Sequence, residues 1–287
     1  MARAVTSIAE RRTAFRALHE RGCFVLPNPW DRGSARYLEH LGFAALATTS
    51  SGAAWSRGRP DGSATRDEVL DHLADIVAAT SLPVNADLED GYGASADQVA
   101  ESVALAVGTG VAGLSIEDAS DGVTLDLEVA VERLSAAREA IDASGHDVLL
   151  VGRADGFFNG SPDLADILTR LRAFAAAGAD CLYAPGISDP AAIRAIVEAV
   201  APKPVNVLVG GASQVTVADL AALGVRRISV GGALARAAWG GFETAATGLA
   251  QGRFDGFDRA VPGADLNALF ADTPDRAGNG PEADQPG

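Results

Sequence analysis

The stretch "PVNADLEDGYG", residues 83–93, opens as a short β-rich run and ends on Asp87, Glu89 and Asp90 before a Gly-Tyr-Gly turn. Charged side chains at the end of an apolar strand are costly to desolvate unless something pairs with them. Further along, "GLSIED" (113–118) ends in the same way on Glu117 and Asp118, with a helix-like segment over 96–109 between the two. That is a strand–helix–strand unit, and it repeats outward in both directions. "FVLP" (24–27) and "AALATTS" (44–50) precede it. "DVLLVGRAD" (147–155), "CLYAPG" (181–186), "VNVLVG" (205–210) and "RISVGG" (227–232) follow. Helical patterns over 65–80, 126–144, 161–178 and 188–200 lie between them. Ser95 and Ser161-Pro162 are suited to cap helix starts, and Gly110, Gly113, Gly178 and Gly224 punctuate helix ends or strand approaches. Eight strands alternating with helices predict an α/β fold of the (β/α)8 (TIM) barrel type, with a doubly wound open sheet as the alternative.

The composition suits one such barrel. The chain has 287 residues, of which 48% are hydrophobic, and a barrel of this kind takes roughly 250. No run of 18 apolar residues predicts a membrane span. The opening "MARAVTSIAERRTAF" carries Glu10 and no apolar core, so it does not read as a signal peptide. Cys23 and Cys181 lie far apart in apolar surroundings, as free thiols of a reducing, cytoplasmic compartment would. A net charge of −15 argues against nucleic acid and anionic membranes as partners. A single lysine, Lys203, stands against 22 arginines. It precedes the seventh strand, on the face of the barrel away from catalysis, which excludes Schiff-base chemistry.

Active sites of these barrels sit at the C-terminal ends of the strands. Alternation puts Asn85, Asp87 and Glu89 on one face of the third strand and Ser115 and Glu117 on one face of the fourth. The fifth strand brings Arg153 and Asp155. Converging carboxylates repel unless a cation or a proton intervenes. The donors are all hard oxygens, which predicts Mg²⁺ or Mn²⁺ rather than Zn²⁺. The plainer reading is a rim of salt bridges centred on Arg153.

"PVNADLEDGYG" followed by "GLSIEDAS", "VGRADGFF" and "GADCLYAPGISDP", with "NPWDRGSARYLEHLGFAALATTSSGAAWSRGRPDG" (28–62) before them, resembles the isocitrate lyase/phosphoenolpyruvate mutase superfamily. The resemblance runs from about residue 24 to about residue 250. It implies a barrel whose eighth helix is exchanged between subunits, and Mg²⁺-dependent chemistry on small carboxylates. By resemblance, Asp87 is the direct metal ligand, while Glu89, Glu117 and Asp61 reach the metal through water. Thr49, Ser50 and Ser51 cradle the substrate carboxylate, Arg153 binds a substrate oxygen or second carboxylate, and Asn206 touches substrate. The turn around Tyr92 is a structural corner.

The departures narrow the chemistry. The lyases of this superfamily carry a Lys-(Lys/Arg)-Cys-Gly-His segment after the fourth strand; here the loop reads "EDASDGVTLDLEVAVERL", without Cys, Lys or His. Cleavage of isocitrate or methylisocitrate in the usual manner is therefore disfavoured. His19, His40, His72 and His146 read as surface positions rather than acid/base groups. What remains is a reaction through an enolate stabilised by metal and Arg153, such as decarboxylation or retro-aldol cleavage of a small 2-oxo or 2-hydroxy acid. A phosphonomutase and a non-catalytic 2-oxo acid binder are the alternatives. The segment 233–252 is apolar on more than one face, which predicts a homodimer or homotetramer. One domain is expected over 1–273, with N- and C-terminal helices, followed by a disordered tail over 274–287.

Overall fold

The computed structural model describes residues 6–271; the tail expected over 274–287 lies outside them. Eight parallel strands form one sheet: β1 (Phe24–Leu26), β2 (Leu46–Ala47), β3 (Val84–Asp87), β4 (Gly113–Glu117), β7 (Leu149–Arg153), β8 (Cys181–Tyr183), β9 (Val205–Leu208) and β10 (Arg227–Ser229). β5 (Ala119–Ser120) and β6 (Val123–Thr124) make a separate antiparallel hairpin. The sheet runs β1-β10-β9-β8-β7-β4-β3-β2. Its two ends meet where the Ala47 amide donates to Pro27 O at 3.0 Å and Asn28 Nδ2 donates to Thr48 O at 2.9 Å. The sheet is thus a nearly closed (β/α)8 barrel with helices around it.

Alternation along each strand sorts the side chains into two layers. Leu114, Ile116, Leu150, Leu182, Val207 and Ile228 pack in one continuous cluster with the surrounding helices. Val151, Cys181 and Tyr183 form a separate cluster inside. The helix Ile8–Glu20 plugs the N-terminal end with Phe15, which packs on Leu26, Ala45, Ala47, Ala112 and Leu149. Gly113 makes that fit possible, because a Cβ there would sit 2.7 Å from the Phe15 ring and 2.8 Å from Asn85 Oδ1. Above the plug the interior is polar. Buried Arg227 donates from Nε to Asn206 Oδ1 at 2.9 Å and from Nη1 to Asn85 Oδ1 at 3.3 Å.

Most helices follow the expected pattern. Arg66–Ala79 and Ala96–Gly108 open on reciprocal capping boxes, Thr65 with Glu68 and Ser95 with Gln98. Four local features differ. The helix over 161–178 begins later, at Leu164, because the Asp163 carboxylate rather than Ser161 caps it. β2 is cut to two residues, because Thr49 caps a helix, Ser50–Ser56, that was not expected. β3 ends at Asp87, and Glu89 has a left-handed backbone (φ 47°), so alternation does not carry it. His19 and His72 are buried, not surface residues, because each faces inward from an amphipathic helix. No helix among the described residues is long and apolar enough to cross a membrane.

Within the span 1–273, contacts divide the chain after Glu243. The barrel unit ends there. The unit from Thr244 contains the turn Asp255–Phe257 and the helix Gly263–Ala271. The helix Ala233–Ala250 crosses that boundary, and its barrel-unit part leaves Trp239 and Phe242 exposed, stacked edge to face with centroids 5.4 Å apart.

Candidate active site

Register decides which side chains meet. Asp87 pairs with Ser115 across β3 and β4, Glu117 with Arg153 across β4 and β7, and Arg153 with Tyr183 across β7 and β8. Asp87, Glu117, Arg153 and Tyr183 are each the last residue of their strand. Arg153 is their hub. Its guanidinium grips Asp155 with two prongs, Nε to Oδ1 at 2.6 Å and Nη2 to Oδ2 at 2.7 Å. Its Nη1 lies 2.9 Å from Glu117 Oε2 and 3.6 Å from Asp87 Oδ1. The guanidinium carbon sits 5.5 Å from the centroid of the Tyr183 ring.

Asp87 is held from the other side by the second strand's loop. Its amide donates to Thr48 Oγ1 at 2.9 Å, and its Oδ2 accepts from Ser50 N at 3.0 Å and Ser50 Oγ at 2.9 Å. Ser50 is thereby turned toward Asp87 rather than toward an open substrate position. Thr49 and Ser51 share a hydroxyl contact of 3.0 Å at the start of the helix Ser50–Ser56. Asp61 lies on the following loop, exposed as a residue but with its carboxyl partly covered where it faces Ser50 and Asp87. Asn206 is not at the rim: its amide is taken up by Ser229 Oγ and Arg227 Nε inside the barrel.

The charges do not balance. Asp87, Glu117 and Asp155 share one guanidinium, and Asp61 and Glu89 lie close enough to Asp87 to feel its charge. Burial, followed by repulsion from Asp87, raises Asp61, and the same two causes push Glu89 up to about 7. Burial raises Glu117 although Arg153 pulls it back. Burial alone would weaken the guanidinium, but Asp155 and Glu117 more than offset it and hold the proton on Arg153. Such perturbed groups, clustered in one place, mark functional sites.

The turn that follows β3 is shaped by close packing. A Cβ on Gly91 would lie 2.8 Å from Val99 Cγ1, and one on Gly93 would lie 2.6 Å from Val99 N; Tyr92 between them has φ 54°. The left-handed residues Glu89 and Tyr92 aim their side chains at each other. Neither Tyr92 Oη nor the buried Glu89 Oε1 has a partner with hydrogen-bond geometry. Strained backbone and unpaired buried oxygens at one place are costly unless something else binds there.

These features suit a hard divalent cation. The donors are carboxylate oxygens, they carry surplus negative charge, and one buried oxygen is unpaired. Among the described residues, no three His, Cys, Asp or Glu side chains gather closely enough to hold an ion directly.

A family model described as phosphoenolpyruvate phosphomutase matches residues 15–250. The chain belongs to this family, within the isocitrate lyase/phosphoenolpyruvate mutase superfamily of lyases and mutases. A solved structure from Burkholderia cenocepacia J2315, labelled lyase/mutase, shares 49% identity at a TM-score of 0.89, covering 92% of this chain and 97% of that one. An uncharacterised Mycobacterium tuberculosis (H37Rv) protein is 34% identical over 92% of this chain and 98% of its own. An oxaloacetate decarboxylase of Rhodopseudomonas palustris is 31% identical over 77% of each chain. In this family member, two residues of the rim escape reasoning from sequence. Thr48 and Tyr183 carry no sequence signal, since a strand-end threonine and an inward tyrosine read as packing.

Proposed function

We propose that the protein is a Mg²⁺-dependent lyase that cleaves a C–C bond of a small 2-oxo or 2-hydroxy acid, with decarboxylation of an oxaloacetate-like acid first among these. The surplus of carboxylates around Arg153 is the observation that carries this reading. Asp87 would hold the ion directly, with Glu89, Glu117 and Asp61 acting through water; Mn²⁺ fits the same donors. When bound, the cation supplies an electron-withdrawing centre for a 2-oxo carboxylate. The remaining roles belong to the chain. Ser50 and Thr48 fix the Asp87 carboxylate. Thr49 and Ser51 offer hydroxyls, at the start of a helix, to the substrate carboxylate. Arg153, kept protonated by its neighbours, faces charge that builds on the substrate oxygen. The hairpin β5–β6 lies beside the rim and excludes water. Loss of CO₂ requires no base on the leaving group, which suits a hairpin that carries no thiol, amine or imidazole.

Similarity to an oxaloacetate decarboxylase along most of both chains supports this substrate class. The family description itself favours a second reading, a phosphonomutase that makes or breaks P–C bonds. The exposed Trp239 and Phe242 support a homodimer or homotetramer in which that helix packs on, or is exchanged with, another subunit. The experiment is a parallel assay of oxaloacetate, isocitrate, 2-methylisocitrate and a phosphonopyruvate-type acid with Mg²⁺ or with EDTA. The expected result is Mg²⁺-dependent turnover of oxaloacetate and little of the others. Turnover of the phosphonate alone would establish the mutase, and binding without turnover would establish a non-catalytic binder.

A further inference from the structure

Behind the rim, a second ion pair touches no substrate position. Asp118, the residue after β4, has a side chain only 1% exposed. Its amide donates to Arg153 O at 3.0 Å, and its Oδ1 accepts from Asp155 N at 2.7 Å. One residue therefore clamps both ends of the tripeptide Arg153–Asp155, whose side chains grip each other. Its carbonyl accepts from Leu125 N at 2.8 Å, which closes the base of the hairpin β5–β6. Arg170, from the helix Leu164–Ala176, completes the unit. Its Nη1 reaches Asp118 Oδ2 at 3.2 Å and Leu125 O at 2.9 Å, while Asp166 holds its Nε at 2.7 Å.

A buried ion pair is weak evidence for stability, because apolar residues of similar volume often serve as well. Retention of this one has a different rationale in its geometry. A single guanidinium ties the carboxylate that clamps the Arg153–Asp155 backbone to the loop beside the site. We propose that Asp118 and Arg170 are positioning residues that fix the Arg153–Asp155 pair against the hairpin, so that the Arg153 guanidinium is held in place to face the substrate oxygen. The inference rests on the reading of Arg153 as the group that meets substrate.

Amide hydrogen exchange and kinetics on the full-length protein test it, with Arg170→Gln, Arg170→Lys and Asp118→Asn. In Arg170→Gln, peptides over 150–158 and 119–126 should exchange about tenfold faster while the other barrel strands keep wild-type protection. Its kcat on oxaloacetate should fall about tenfold or more, with KM changed far less, as for residues that orient a reacting group. Arg170→Lys keeps one of the two inward contacts and should recover part of both effects. Asp118→Asn keeps an acceptor for the Asp155 amide, so it should loosen 119–126 more than 150–158. Should Arg170→Gln fail to fold, the other two variants carry the same comparison. Wild-type exchange in both segments would overturn the proposal, as would uniform loosening of the whole barrel with kcat per folded molecule unchanged. If the wild type does not turn over oxaloacetate, the functional reading fails, while segment-selective exchange still decides the positioning role.

Discussion

Arg153 stands at the meeting point of the site's electrostatics. Three carboxylates contact one guanidinium, and the two-pronged geometry toward Asp155 is one that a lysine cannot reproduce. Arg153→Lys keeps the charge and loses the fork, so kcat on oxaloacetate should fall by about a hundredfold, the scale seen when one oxyanion donor is removed. Steady-state kinetics check this, and a change confined to KM would assign Arg153 to substrate binding alone. The position of Arg153 was legible in the sequence because β7 is long and apolar and places it by strict alternation. Glu89 was legible as a residue and not as geometry: β3 stops two residues earlier, and a left-handed backbone, invisible to strand periodicity, brings the side chain round. Asn206 was misplaced for a related reason. A polar residue inside a strand pattern signals a satisfied interior amide and a rim ligand equally, and here Arg227 and Ser229 satisfy it.

The elements differ in how well their sequences announce them. Strands flanked by capped helices were read to within a few residues, because the Ser95 and Thr65 boxes and the glycine stops are local signals. The helix Ser50–Ser56 was missed because "ATTS" has strand propensity on one side and cap chemistry on the other. The buried histidines were missed because one imidazole per helix says nothing of which face packs. His19 lies edge-on between Phe15 and Phe24, with Nδ1 2.8 Å from Phe15 O, and burial lowers it to about 3; burial lowers His72 to about 4. The unfolded chain takes up these protons below a pH of about 6.5 while the folded barrel does not, so the stability that the two histidines contribute is full above that pH and declines as pH falls toward 4. Glu89 and Glu117, raised by burial, take up protons more readily in the folded state and act in the opposite direction. At a pH of about 5, each histidine should cost on the order of 2 kcal/mol. Urea unfolding of the wild type and of His72→Leu, near neutral pH and near pH 5, isolates one histidine: between the two pH values the variant should gain about 2 kcal/mol relative to the wild type. An equal pH dependence in the two proteins would mean that His72 is protonated in the folded state.

For the assembled protein, the same surface features bear on association and on charge. Phe242, 63% exposed and stacked against Trp239, is the apolar surface on which the proposed association would rest. The cavity of about 480 Å³ lined by Trp55, Arg59, Arg236, Trp239 and Glu243 lies in the same unit. Light scattering at micromolar concentration should give a dimer or tetramer, and Phe242→Glu should shift it toward monomer with the circular dichroism spectrum retained; a monomeric wild type would contradict that assembly. A net charge of −15 does not attract a dicarboxylate from solution, so the proposed substrate would need local positive charge at the site, from Arg153 and from the proposed cation. The most direct test of the central claim is Mn²⁺ binding to the wild type and to Asp87→Ala, followed by electron paramagnetic resonance. The expected result is one site per chain, weakened about a hundredfold or more in Asp87→Ala, with the circular dichroism spectrum unchanged. Equal Mn²⁺ affinity in the two proteins, or full wild-type turnover of oxaloacetate in EDTA, would contradict it.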